Sequence, residues 1–339
     1  MLNVIKNISI LKLIFGNLKK KRKLQLIKYN RIFLQKLKIK IKDFHDYLLL
    51  KEINQKFNIN IKDVDIEVLD LENRVIGNEI LYNLNKIGFT ELRELNLVGN
   101  ELSDINELQN SKFEKLECLE LSDNNITDIN ILKNVNFQKL KELHLNENEI
   151  SDIKILENVN FVNLENLDLY SNNISDISVL KKVNFKKLKY LNLSYNKIAK
   201  IEVFGEVNFE ELIELYLGFN KISDINILQN VKFENLKELN LEGNEIVDIN
   251  VLEKVKFEKL QILLINCNSI SNINVLDKVN FKELNFLNLS NNKISDLNIF
   301  EKTKFEKIKT LNIQDNKINL EENSSIINFL KSKIICFKY

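Results

Sequence analysis

FEKLECLELSDNNITDINILKNVN, the stretch at residues 113–136, recurs along the chain with a period of 24 residues and no insertions. Each unit follows the pattern F-x-x-L-x-x-L-x-L-x-x-N-x-I-x-x-I-x-x-L. A single unit is too small to close a hydrophobic core, so consecutive units must stack and share one. The sequence therefore predicts a solenoid, although 339 residues would otherwise allow two ordinary domains.

An asparagine is the most regular polar residue of the repeat. Its side-chain amide both donates and accepts hydrogen bonds, so we expect it to bond backbone groups of its own turn and of the neighbouring one. Stacked units then place these asparagines in a row, which we call the asparagine ladder. Its ten members are Asn100, Asn124, Asn148, Asn172, Asn196, Asn220, Asn244, Asn268, Asn292 and Asn316.

Each unit divides into a strand and a return segment. Leu119 and Leu121 alternate with other residues, and this period of two predicts a short strand. Strands of consecutive units must be parallel, because every return restarts the chain in the same direction. Ile129, Leu132 and Val135 are three residues apart, which favours a short α or 3₁₀ turn.

The repeats define the expected boundaries of the solenoid, residues 66–339. Residues 66–88 form a degenerate first repeat, in which Arg74 occupies the asparagine position, and ten regular repeats span residues 89–316. Residues 317–339 are predicted to be a C-terminal cap. We expect a helix at 321–330, with Asn323 or Ser324 as its cap, and a last strand at 333–339.

These repeats resemble the leucine-rich repeat family, whose consensus is L-x-x-L-x-L-x-x-N-x-L. The Ser-Asp-Ile triplets that begin at Ser151, Ser175 and Ser223 are similar to those of internalins and of intracellular phosphatase-regulating repeats. The resemblance implies an α/β fold, a solenoid with a concave parallel β-sheet and short helical or 3₁₀ returns on the convex side. It also implies a protein-binding role. The 24-residue units are longer than those relatives favour.

Residues 1–65 are predicted to be a small basic helical head. Ile14, Phe15 and Leu18 share one helical face, which is consistent with a cap over the first repeat. Residues 10–37 also resemble the start of an F-box. That resemblance implies docking to a Skp-type adaptor of a cullin ubiquitin ligase, with the substrate held by the repeats. Both alternatives remain open.

Charge is distributed unevenly along the chain. Residues 1–50 carry 13 basic and 2 acidic side chains, a net charge of +11, and the remainder carries 36 basic and 46 acidic side chains, a net charge of −10. The basic run at residues 19–23 is a nuclear import signal, a patch for acidic partners or a solvated loop. Few aromatic residues accompany it, so nucleic-acid binding is not expected.

Cysteine spacing and hydropathy bear on the cellular location. Cys118 and Cys267 are six repeats apart, roughly 29 Å at about 4.8 Å per strand, which is too far for a disulfide. Reduced thiols favour an intracellular protein, in the cytoplasm or, with the basic run acting as an import signal, in the nucleus. No apolar run approaches the ~18 residues of a membrane span.

Two groups of large side chains stand out where the resemblance places the concave face and its adjoining turns. Such residues are typical anchors of protein interfaces, although chance surface residues are the alternative. The first group is aromatic and the second is apolar. They comprise Tyr170, Tyr190, Tyr195, Tyr216 and Phe219, and Ile262, Leu264 and Phe286.

An enzyme, a resident metal and a cofactor are not expected. The chain has only two histidines, His45 and His144, and it lacks a Cys-x-x-Cys pair and a phosphate-binding glycine loop. His144, near Glu120, Glu142 and Asp168, is either part of a weak cation cluster or an ordinary exposed histidine. The predicted function is a protein-binding module. The alternatives are an F-box-like ligase adaptor and a phosphatase regulator.

Overall fold

A computed structural model of the chain describes residues 41–303 and 305–339. Within these residues twelve strands form one sheet, and every strand is hydrogen-bonded in parallel to the strands of the adjacent units. The predicted α/β solenoid with a parallel sheet is therefore confirmed. In chain order, β1 to β12 are Val68–Asp70, Glu94–Asn96, Cys118–Glu120, Glu142–His144, Asn166–Asp168, Tyr190–Asn192, Glu214–Tyr216, Glu238–Asn240, Ile262–Leu264, Phe286–Asn288, Thr310–Asn312 and Cys336–Lys338.

The central residue of each regular strand points into the core. Leu119 is paired with Leu143, and Leu143 with Leu167, so that the repeat register becomes a continuous row of leucines. These leucines are fully buried. Each contributes roughly 1.5–3 kcal/mol of hydrophobic stabilisation. The first and third residues of each strand lie on the other side of the sheet, which we call the open face.

The returns of the regular repeats are 3₁₀ segments, as the threefold spacing predicts. At most of their starts, the aspartate of the Ser-Asp-Ile triplet or its equivalent accepts a hydrogen bond from a backbone N–H. For example, the backbone N–H of Lys154 donates to Asp152 Oδ1 over 2.8 Å. The nine segments are Asn106–Asn110, Asn130–Asn134, Lys154–Asn158, Ser178–Lys181, Glu202–Gly205, Asn226–Asn230, Asn250–Glu253, Asn274–Asp277 and Asn298–Glu301.

The asparagine ladder joins each unit to the preceding one. Asn172 is buried, and its Nδ2 donates to the carbonyl of Leu145 in the preceding unit over 2.9 Å and to the carbonyl of Leu169 in its own unit over 3.2 Å. Its Oδ1 accepts from the backbone N–H of Ile150 over 2.9 Å. One side chain thus satisfies several backbone groups that the tight turn leaves without a strand partner.

Two helices lie at the start of the described chain. Helix α1, Ile41–Phe57, contributes Leu50 and Ile53 to the core. Helix α2, Glu79–Asn85, occupies the place of the first return. Arg74 replaces the ladder asparagine, but its backbone N–H still donates to Asn100 Oδ1 over 3.1 Å.

The C-terminal end differs from the prediction in its boundaries. Helix α3 is Ser324–Lys333, and the last strand is only β12, because residues up to Lys333 remain helical. Asn323 precedes the helix, yet its side chain makes no capping bond to α3. Its Nδ2 donates instead to the carbonyl of Asn319 over 2.9 Å, and its Oδ1 accepts from Leu297 N–H over 3.3 Å.

Candidate functional site

The open face is the part of the solenoid that varies between units. In each regular strand the outward residues flank a buried leucine, and they differ in charge and size from one strand to the next. The structure places Tyr190, Tyr216, Ile262, Leu264 and Phe286 on this face. A protein-binding role for them remains a prediction, but they lie where a partner has access.

Three rings of the aromatic group form a continuous row, which we call the aromatic ridge. Tyr170 and Tyr195 have ring centroids 5.1 Å apart, and Tyr195 and Phe219 stack at 4.3 Å with their planes 23° apart. Tyr195 is 45% exposed and Phe219 is 37% exposed. The ridge therefore runs along three consecutive units, and its Tyr195 and Phe219 rings present stacked aromatic surface to solvent.

Two of the three ridge residues, Tyr195 and Phe219, have a backbone in the left-handed region. Tyr195 has a φ of 56° and Phe219 a φ of 52°, values that bulky side chains rarely adopt. The turn itself imposes this conformation, because the residue before every ladder asparagine has a positive φ. These residues are Gly99, Asp123, Glu147, Ser171, Tyr195, Phe219, Gly243, Cys267, Asn291 and Asp315.

Gly243 makes room for the end of the ridge. A Cβ on this residue would lie 2.6 Å from Cδ1 of Phe219, so a side chain here would displace the ring. The sequence analysis missed this contact and the left-handed turn. The signal was present, because Gly99 and Gly243 occupy the same repeat position and glycine is the residue best suited to positive φ.

A second aromatic pair lies on the strands beside the ridge. The rings of Tyr190 and Tyr216 are 5.3 Å apart. The Tyr216 hydroxyl donates to Glu214 Oε2 over 2.9 Å, and Asn192 Nδ2 donates to the Tyr190 hydroxyl over 3.1 Å. Burial raises the pKa of Tyr190 to about 12, and it also raises the pKa of Tyr216. Both phenols are therefore neutral at physiological pH.

The apolar group occupies strands β9 and β10. Ile262 lies directly opposite Phe286 in the sheet register, and Leu264 is two residues further along β9. All three side chains are half-buried on the open face. They are less accessible than Tyr195 and Phe219, so the aromatic ridge is the more prominent of the two predicted groups.

A third cluster joins β3 and β4. His144 Nε2 lies 3.4 Å from Glu120 Oε1 and 3.5 Å from Glu142 Oε2, and Cys118 Sγ lies 3.8 Å from Glu120 Oε1. The His144 side chain is only 16% exposed, so the alternative of an ordinary exposed histidine is wrong. Asp168 lies opposite His144 in the sheet register.

Burial raises the pKa of several groups in and beside this cluster. Desolvation, with the nearby Glu120, Glu142 and Glu94 carboxylates, raises the pKa of the Cys118 thiol to about 12. Desolvation also raises the pKa of Glu120, although the neighbouring His144 opposes this shift. The same cause raises the pKa of Asp168. These side chains thus lie in a partly dehydrated and acidic part of the open face.

Several predictions concern residues that the structure does not describe. The F-box-like segment 10–37 and the basic run 19–23 lie outside the described residues, so adaptor docking and nuclear import stay predictions. Cys118, Cys267 and Cys336 are free thiols. Among the described residues, no helix combines the length and apolar character that a membrane-spanning segment requires.

Sequence profiles identify the repeats in the middle of the chain. The profile described as "Leucine Rich repeats (2 copies)" matches residues 138–182, 162–206, 186–230 and 210–254. The profile described as "Leucine Rich repeat" matches residues 114–129. No curated protein matches the chain significantly. The profile matches agree with the 24-residue period seen in the sequence.

Two solved bacterial structures have similar folds. An internalin (InlF) of Listeria monocytogenes is 26% identical, with a TM-score of 0.63 over 85% of this chain and 87% of that one. The functional domain of InlJ from the same organism is 20% identical, with a TM-score of 0.59 over 87% of this chain and 59% of that one.

A plant structure shares the fold as well. It is the leucine-rich repeat ectodomain of the membrane receptor kinase GASSHO1/SCHENGEN3 from Arabidopsis thaliana, in complex with CASPARIAN STRIP INTEGRITY FACTOR 2. It is 22% identical to this chain, with a TM-score of 0.58, and the match covers 76% of this chain and 31% of that one. The similarities to InlJ and to this plant ectodomain concern the fold alone.

Proposed function

Because this chain is a leucine-rich repeat protein, we propose that it is a non-enzymatic module that binds a protein partner on its open face. Solenoids of this kind offer extended surfaces on which side chains vary without disturbing the core. The aromatic ridge of Tyr170, Tyr195 and Phe219 is the observation that carries the proposal. In it three large rings pack in a row, and two of them, Tyr195 and Phe219, are stacked and exposed.

The energetics of the ridge indicate that it serves binding and not the stability of the fold. A bulky residue in the left-handed region costs about 1–3 kcal/mol, whereas a stacked ring pair returns about 0.5–1.5 kcal/mol. Other units fill the same turn position with small or polar residues such as Ser171 and Asn291. Tyr195 and Phe219 therefore give the fold no clear stabilisation, while exposed aromatic side chains are the preferred anchors of protein interfaces.

The surroundings of the ridge indicate the chemistry of the partner. Tyr190 and Tyr216 add two neutral phenols beside it, and Glu214 and Glu238 lie opposite each other on β7 and β8. An apolar or aromatic side chain would pack on the rings, and a basic side chain next to it would meet the carboxylates. We therefore expect the recognised segment of the partner to combine both.

The test compares proteins labelled by proximity in the native cell, using the full-length chain and a variant carrying Tyr195→Ser and Phe219→Ser. Serine is the residue that the same turn holds at position 171. At least one protein should be lost with the variant. Its affinity for the purified variant should fall by more than about 30-fold, because a hot-spot side chain contributes about 2 kcal/mol or more.

Val247→Ser provides a matched control. Val247 is an apolar side chain, 58% exposed, outside the ridge. Serine occupies its repeat position at residues 151, 175 and 223. This change should leave both labelling and affinity as in the wild type, and thermal unfolding of all three proteins should be similar. Equal labelling by the wild type and the double variant would overturn the ridge as the binding surface.

A further inference from the structure

Strands β3 and β4 bring four metal-ligating side chains to one place on the open face. Cys118 and Glu120 are the outward residues of β3, and Glu142 and His144 are those of β4. The parallel register sets Cys118 opposite Glu142 and Glu120 opposite His144. The four residues thus occupy the corners of a rectangle that is one interstrand spacing wide and two residues long.

Several distances between donor atoms are close to those of a tetrahedral zinc site. Zinc–nitrogen and zinc–oxygen bonds of about 2.0–2.2 Å and zinc–sulfur bonds of about 2.3 Å imply ligand-to-ligand distances of roughly 3.3–3.7 Å. The imidazole Nε2 of His144 is 3.4 Å from Glu120 Oε1 and 3.5 Å from Glu142 Oε2. Cys118 Sγ is 3.8 Å from Glu120 Oε1, and the donor atoms of Cys118, Glu142 and His144 all lie within 4.8 Å of one another.

The imidazole nitrogen at the centre of this cluster lacks a partner. Nε2 of His144 is buried and finds no hydrogen-bond partner among the described residues. It faces two carboxylate oxygens at nearly equal distances, both longer than an ordinary N–H···O bond. A cation next to the imidazole would satisfy the nitrogen lone pair and attract both carboxylates, whereas one proton would favour a single, shorter contact.

We propose that Cys118, Glu142 and His144 bind one zinc ion on the open face, with the carboxylate of Glu120 next to it. Thiolate, imidazole and carboxylate are the ligands of tetrahedral zinc, whereas magnesium and calcium prefer oxygen ligands alone. On binding, Cys118 forms a zinc–sulfur bond and its thiol proton passes to solvent. The nearby Glu94 and Asp168 add negative charge that attracts a cation. The site uses no residue of the aromatic ridge.

The experiment titrates metal-free, full-length protein with Co²⁺ and follows the absorption spectrum. Tetrahedral thiolate ligation gives visible d–d bands and a thiolate-to-cobalt charge-transfer band, and both should saturate at one equivalent and vanish when Zn²⁺ displaces the cobalt. Cys118→Ser should abolish the charge-transfer band, and His144→Gln should weaken zinc binding by more than about 100-fold. Even the loss of an outer-shell contact costs about 10–100-fold.

Cys267→Ser is the matched control for the thiol. Cys267 is another half-buried free cysteine, and its Sγ also lies near a carboxylate, 4.0 Å from Glu242 Oε1. Its removal should change neither spectrum nor affinity. Glu142→Gln is a second test variant, because its side chain is half exposed and its loss should not affect folding. Three outcomes would overturn the site. They are a wild-type spectrum without the charge-transfer band, a charge-transfer band that persists in Cys118→Ser, and a charge-transfer band that is lost in Cys267→Ser.

Discussion

The two sides of the same sheet differ in what the repeat allows. On the buried side, the central residue of every regular strand is leucine, from Leu95 to Leu311. Each of these side chains is at most 1% exposed. On the open side, the flanking residues change from carboxylates to tyrosines to isoleucine within a few units. Stacking requires identical shapes only where units touch, so the chain is free to vary elsewhere.

This difference separates what makes the fold from what gives the surface its chemistry. A leucine that faces the core fits between the leucines of two adjacent units, so changing it leaves a cavity in a packed interior. An outward residue contacts mainly its neighbours on the open face and solvent. Mutations on the two sides of one strand should therefore have very different effects on stability.

The largest effect is expected on the buried side of β5. Leu167→Ala should destabilise the protein by about 2–5 kcal/mol, because the deleted side chain leaves a cavity between two packed units. Asn166→Ala, one residue away on the open side, removes an amide whose Oδ1 has no hydrogen-bond partner among the described residues. It should change stability by less than about 0.5 kcal/mol. Urea unfolding of both variants measures the contrast, and similar losses would disprove it.

An intermediate effect is expected for the asparagine ladder. Asn172→Ala removes three donated bonds and one accepted bond, and it leaves buried backbone groups unpaired. The expected cost is about 1–3 kcal/mol. Asn173→Ala is the control, because the bond from its backbone N–H to the Ile150 carbonyl survives the change. Equal urea midpoints for wild type and Asn172→Ala would show that the ladder does not stabilise the stack.

The smallest effect concerns charge on the open side. Burial raises the pKa of Glu238, and the nearby Glu214 raises it further, although a hydrogen bond from Tyr216 opposes the shift. Between the ordinary glutamate pKa of about 4.3 and this raised value, the folded state binds more protons than the unfolded state. Stability due to Glu238 therefore falls as the pH rises through that window, and Glu238→Gln should be more stable than wild type at pH 7.

The exposed Glu91 provides the opposite case. A hydrogen bond and ion pair with Lys115 lower its pKa, so its contribution is present above the ordinary glutamate pKa and is lost as the pH falls through the lowered value. Glu91→Gln should therefore be slightly less stable than wild type at pH 7. The stability differences of Glu238→Gln and Glu91→Gln from the wild type should both vanish in acid, where each carboxyl is protonated in the folded and in the unfolded protein. Chemical unfolding at several pH values checks the signs, and a destabilised Glu238→Gln at pH 7 would contradict the first.

The candidate surface was only partly predictable from the sequence. The repeat period was enough to assign Tyr190, Tyr216 and Phe286 to strand positions on the open side, because side chains alternate along a strand. It did not reveal that Tyr195 and Phe219 stack on a left-handed turn, or that Gly243 accommodates the end of that stack. Those contacts depend on the turn conformation, which hydrophobic patterning does not encode.

The sequence by itself determined the architecture, because a 24-residue pattern of leucine, phenylalanine and asparagine has one way to bury its apolar side: by stacking parallel strands in register. Only the tertiary structure decided which open-face atoms meet. Cys118 and His144 are 26 residues apart in the chain, and their approach depends on strand spacing, side-chain rotamers and burial together. The same packing leaves His144 Nε2 without a partner between two carboxylates, a property of the folded arrangement and not of any single repeat.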